Sequence, residues 1–154
     1  MSANDFDFLC RAWTVHHRKL GTRLAGADDW AEFTGTSTTT PILGGGGNVE
    51  DNILFDPVGT YRAAALRCFD AKDKVWRIWW LDQRMPGEIG PPVVGRFEGN
   101  RGEFIADDTW QGVAIQVRFV WLKDDGQGPR WEQAFSTDGG KTWEDNWIMA
   151  FRAV

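Results

Sequence analysis

With 154 residues, 42% of them hydrophobic and 25% charged, the chain is sized and balanced for one globular domain with its own core. Its apolar runs reach only a few residues, against the roughly 20 that a spanning helix requires, which excludes helices that cross a membrane. A formal net charge of -5, with both signs mixed along the chain, argues against nucleic acid as a partner.

The opening stretch from Met1 to Asp7 is acidic and has neither a basic n-region nor an apolar h-region, so a cytoplasmic location is expected. Residues 4 to 11 hold the one helix candidate, with Asn4 or Asp5 as its cap and Phe6, Phe8 and Leu9 as its apolar face. A short helix of this kind is suited to plug one mouth of a barrel. From there on, alternation of apolar and polar residues dominates, which is the period of a half-buried strand.

The first strand runs from Trp13 to Lys19, with Trp13, Val15 and His17 on one face. A Gly/Ala/Asp stretch leads into a second strand from Trp30 to Thr40, which Pro41 is expected to end. Gly44 to Gly47 make a turn, and Asn48 to Asp56 make the next strand. Tyr61 to Phe69 and Val75 to Asp82 read as a hairpin through residues 70 to 73. Loop residues around Pro86-Gly87 and Pro91-Pro92 precede Val93 to Glu98, which a tight turn joins to Glu103 to Asp108. Gly112 to Lys123, Arg130 to Ser136 and a final strand ending at Ala153 complete the chain, with a turn over 124 to 129.

The sum is about ten short strands, which predicts an all-β fold: a closed antiparallel β-barrel in a single domain, residues 1 to 154, with a short N-terminal helix. The last three strands set Val117, Phe119 and Trp121, then Trp131, Gln133 and Phe135, then Trp147, Met149 and Phe151 on one face, which is placed inward. The opposite face carries Gln116, Arg118, Arg130, Glu132, Asn146 and Arg152 and is placed toward water, with Glu132 between two arginine-bearing strands. The 75–81 strand is apolar on both faces and needs a cover, either the N-terminal helix or a second copy of the chain.

The composition holds 10 tryptophans and a single tyrosine, so the interior is either wide and filled or an aromatic-walled pocket. Residues 136 to 143, Ser-Thr-Asp-Gly-Gly-Lys-Thr-Trp, match the Asp-box of sialidase propellers. The match occurs once, so it reads as hairpin-turn chemistry in which Asp138 bonds backbone amides. The glycine run at 44 to 47 lacks the Lys-Ser/Thr of a phosphate loop. His16 and His17 show no metal-ligand spacing, and the cysteines, Cys10 and Cys68, are too few for a disulfide framework. No metal and no cofactor is therefore expected. Asp82 and Arg84, closing the Trp-rich strand, are a candidate charged pair at a barrel mouth.

Several segments carry a resemblance to a bacterial family of lipocalin-like (calycin-type) proteins without an assigned activity. They are residues 12 to 18, 46 to 52, 79 to 82, 92 to 98 and 130 to 136. The tryptophan of the calycin G-x-W is kept as Trp13, with Arg11 in the glycine position. The resemblance implies the barrel and leaves the function open. Haem-binding barrels of similar size use a histidine late in the chain, and none follows His17 here.

The residues themselves suggest a binding protein for a small apolar or aromatic ligand. Trp13, His17, Asn52, Trp80, Asp82, Arg84, Gln133 and Trp147 are its candidate ligand-binding side chains. The alternatives are an enzyme acting on a lipophilic substrate as lyase, isomerase or hydrolase through His17 or Asp82, and a homodimeric interaction module built on the Trp79/Leu81 face.

Overall fold

A computed structural model describes residues 2–124 and 126–154; Met1 and Asp125, the latter within the expected 124–129 turn, lie outside the described residues. Ten strands form one closed antiparallel barrel: β1 (Ala12–Leu20), β2 (Trp30–Ile42), β3 (Gly47–Leu54), β4 (Tyr61–Asp70), β5 (Val75–Asp82), β6 (Val93–Glu98), β7 (Arg101–Trp110), β8 (Val113–Leu122), β9 (Arg130–Ser136) and β10 (Glu144–Ala153). Each strand pairs with the next in the chain, and β1 pairs with β10 to close the ring. Closure gives every strand a partner on both sides over at least part of its length. This architecture is consistent with a calycin-like fold.

The expected N-terminal helix is only one turn of 3-10 helix, Asp7–Leu9. Propagation into an α-helix is lost because Phe6 and Leu9 are drawn into the barrel and Asp5 is diverted to accept a hydrogen bond from Trp76 Nε1 at 3.2 Å. The turn still plugs one end. Phe6 packs edge-on against Trp76 and Phe97 with centroids 4.9 and 5.0 Å apart, and Trp13 Nε1 donates to Leu9 O at 2.9 Å.

Pro41 does not end β2, which continues to Ile42 with Pro41 opposite Asn48. The ring is tolerated because it falls where the strand turns over into Leu43–Gly45, beyond most of the ladder. The inward aromatic face of β8, β9 and β10 is buried as expected. Two details of the outer face differ. Glu132 lies opposite Val120 and Ile148 rather than the flanking arginines, and it accepts from Arg130 of its own strand at 3.0 Å. Asn146, expected in water, is fully buried: the register shifts between Asp145 and Trp147, and this β-bulge lets Asn146 accept from the inward Gln133 at 2.8 Å.

The two faces of β5 differ in how they are covered. Trp76 lies under the plug, while Leu81 on the outer face is 44% exposed. Among the described residues, no helix is long and apolar enough to cross a membrane.

Candidate functional site

Alternation along β1 sends Trp13, Val15, His17 and Lys19 inward in turn, from the plugged end of the barrel to the other end. At the plugged end the interior is solid. Trp76, Trp121, Phe97 and Phe104 close around Phe6, and Phe151 packs on Trp121. Arg67 lies between the rings of Phe6 and Trp121 at 4.9 and 5.1 Å, donating to Asn48 Oδ1 at 2.8 Å and to Glu50. A void of only about 10 Å³ remains beside Glu50 and Arg67, room for about one water molecule and for no organic ligand.

The other end is open. A cavity of about 980 Å³ runs from the β5–β6 loop into the barrel, with Ile78, Trp80 and Phe119 at its floor, shared with the small void beyond. Its walls are Phe33, Trp110, Phe135 and Trp147, with Ile115 and Val117 between them. Only Trp76, Arg77 and Ile78 of β5 pair with β6, so β5 from Trp79 onward has lost its neighbour on that side and the cavity widens beneath residues 83 to 92. The volume falls in the range of small-molecule sites, roughly 300–1,000 Å³.

Of the candidate binding residues, Trp80, Asp82, Arg84, Gln133 and Trp147 line this cavity. Trp13 points inward at the plugged end, where its ring packs on Phe151 at 6.0 Å. His17 and Asn52 are buried in the layer between the two ends and are not part of the cavity wall.

That middle layer is polar. His17 Nδ1 accepts from Trp147 Nε1 at 3.1 Å, which assigns the proton to Nε2, and the imidazole stacks on Phe33 at 4.8 Å. Burial, reinforced by the charge of Lys19, pushes the His17 pKa down to about 3, so the ring is neutral. His17 Nε2, Ser37 Oγ and both amide atoms of Asn52 have no hydrogen-bond partner among the described residues. Ser37 and Asn52 are directly opposite each other on β2 and β3. Glycine is required beside them: a Cβ on Gly35 would strike the Ile53 carbonyl and lie 3.1 Å from His17 Nε2.

Charge gathers at the open rim. Arg84 grips Asp82 with Nε and Nη2 at 3.1 and 2.8 Å and stacks over Tyr61 at 3.5 Å. Burial alone would push the Asp82 carboxyl up, but the bonds from Arg84 outweigh it and hold it below the usual carboxylate range. Lys19 Nζ donates to Tyr61 Oη at 3.0 Å and sits 4.3 Å from the Trp147 ring. Burial, with the charges of Arg23 and Arg84, pushes its amine down to about 8. Arg23 lies over Trp110 and Phe135 at 4.8 and 5.3 Å.

Lys19, Arg23 and Tyr61 were absent from the residues singled out by sequence. Lys19 was within reach, two residues beyond His17 in the same alternation. Arg23 was not, because it sits in the irregular segment between β1 and β2 where no period applies. The Asp-box segment is a turn, as its chemistry suggests: Asp138 accepts from the Lys141 and Thr142 amides at 3.0 and 2.9 Å. Its carboxyl is held at about 2, mainly by the Thr142 hydroxyl and amide. Among the described residues no cluster of His, Cys, Asp or Glu is arranged to hold a metal ion. No family model and no curated protein matches the chain.

Proposed function

We propose that the protein binds a small apolar or aromatic molecule in the open half of its barrel and carries it without chemical change. The observation behind this reading is the cavity of about 980 Å³ walled by Phe33, Trp110, Phe119, Phe135 and Trp147. Aromatic walls with a few placed polar groups are the usual make-up of small-molecule pockets. Membership of the bacterial lipocalin-like family and a cytoplasmic location are parts of the same proposal. The free thiols of Cys10 and Cys68 are compatible with a reducing compartment.

The competing reading, an enzyme working through His17 or Asp82, has less support. A general acid or base works best with a pKa near the operating pH. The His17 ring is held neutral far below that range, and the Asp82 carboxylate is committed to Arg84.

Titration with the uncharged dye phenylnaphthylamine tests the binding reading. The dye is expected to bind at one equivalent with a rise in fluorescence. Ala106→Trp, which fills the cavity from the half-buried wall position of Ala106, is expected to abolish the rise. A wild-type protein that gives no rise, or a variant that binds as well as wild type, refutes it.

One exposed feature supports a homodimer as an additional property. Leu66 and Leu81, 40% and 44% exposed, flank Trp79 on the outer face of β4 and β5, with Leu66 directly opposite Trp79. Light scattering at the mass of two chains is expected, and the mass of one chain removes this reading.

A further inference from the structure

We infer that the ligand of this barrel is an amphipathic organic anion, its apolar body against the aromatic walls and its negative group received between Lys19 and Arg23 at the open rim. The inference rests on the binding reading above and adds to it the charge of the ligand.

The two cations face the same cavity and are held there by aromatic rings rather than by carboxylates. Arg23 makes neither a hydrogen bond nor an ion pair among the described residues; its guanidinium carbon sits 4.8 and 5.3 Å from the Trp110 and Phe135 rings, and its N–H donors are unused. Lys19 donates only to Tyr61 Oη and has no carboxylate within ion-pair distance among the described residues. Each side chain is half-buried, so each carries part of a desolvation cost, which the more distant charges of Asp56 and Asp82 on Lys19 and of Glu144 on Arg23 do not outweigh. The two are also close enough that Arg23 is the foremost charge acting on the Lys19 amine.

The acids of the rim are otherwise engaged or solvated. Asp82 is chelated by Arg84, and Asp56 accepts from the Val58 amide at 3.0 Å. Glu144, near Arg23, accepts from the Leu24 amide at 2.7 Å. Asp108 and Glu88 lie on the β7 side and the β5–β6 loop, exposed to water. The rim therefore offers two adjacent cations with free donors, next to an apolar cavity.

A carboxylate, sulfonate or phosphate accepts strong charge-assisted bonds from such a pair, and a guanidinium can give two parallel N–H groups to it. A neutral apolar molecule of the same shape would fill the walls and leave both cations as they are.

A pair of dyes sharing one aromatic skeleton separates these cases: anilinonaphthalene sulfonate and its uncharged parent phenylnaphthylamine. Wild type is expected to bind the sulfonate tighter than the parent by about 10-fold or more, since a hydrogen bond to a charged group is worth about 1.5–3 kcal/mol. In the double variant Lys19→Met/Arg23→Gln the preference is expected to collapse to about 3-fold or less, with the affinity for the parent dye retained. Retained parent-dye binding also reports that the variant is folded.

Equal affinity of wild type for the two dyes overturns the inference and leaves the binding reading standing. So does a preference that survives the double substitution. Failure of both dyes to bind wild type refutes the binding reading and the inference together. If the double variant is unfolded by near-ultraviolet circular dichroism, Arg23→Gln alone decides: Arg23 lies outside the strands, and an unchanged preference in that variant overturns the inference.

Discussion

The two ends of this barrel use the same aromatic vocabulary for opposite purposes. At the plugged end Phe6, Trp76, Phe97 and Trp121 meet in edge-to-face contacts with centroids 4.9–6.0 Å apart, and the space between them is filled. At the open end Trp110, Phe135 and Trp147 stand around a cavity, with Arg23 over Trp110 and Phe135 and Lys19 over Trp147. The difference lies in what enters from outside the strands. Phe6 and Leu9, brought by a segment preceding β1, fill one end, whereas the β1–β2 segment brings Arg23 to the other. A high tryptophan content therefore does not choose between a filled and a hollow barrel. One barrel contains both.

The contrast is broken most sharply by emptying the plug. Phe6 is 1% exposed and touches five other aromatic residues. Truncation of a buried phenylalanine costs about 3–5 kcal/mol, and here it would also remove the ring that covers Arg67. Phe6→Ala is accordingly expected to lower the unfolding free energy in urea by that amount. Trp110→Ala, a half-buried wall of the cavity, is expected to cost about 1 kcal/mol. Equal losses in the two variants would mean that the open end is packed as firmly as the closed one.

The same division explains what was legible in the sequence. Strand number, antiparallel order and the inward face of β8 to β10 follow from alternation and turn residues, which are local signals. The plug was visible as Phe6, Phe8 and Leu9, although its helical length was not, because burial of Phe6 and Leu9 in the barrel overrides the helical repeat. The site was half legible. Trp80, Asp82, Gln133 and Trp147 are inward strand residues near one end, where period and position suffice. Asn146 was misplaced because a bulge shifts the phase by one residue, and nothing in the local sequence announces it. Arg23 depends on the path of an irregular segment, which only tertiary structure defines.

A pH-dependent effect probes the layer where the two ends meet. His17 lies between Val15 and Lys19 on the inward face of β1, 1% exposed, and its ring is neutral with a pKa near 3. In the unfolded chain the same imidazole titrates near 6.5. Between those values the unfolded state binds a proton that the native state refuses, so stability from this group is complete above about pH 6.5 and is lost as pH falls toward 3. The loss approaches about 1.4 kcal/mol for each pH unit in that window. His17→Gln removes the titration, so the difference in unfolding free energy between wild type and variant is expected to shrink by that amount per unit from pH 6 to pH 4. The carboxylates, Asp82 among them, titrate in both proteins and cancel in the difference. A difference that stays constant with pH would mean that the imidazole takes up its proton in the folded barrel. Water or ligand would then reach the middle layer from the open end, and Ser37 and Asn52, with their unpartnered atoms, would belong to the pocket.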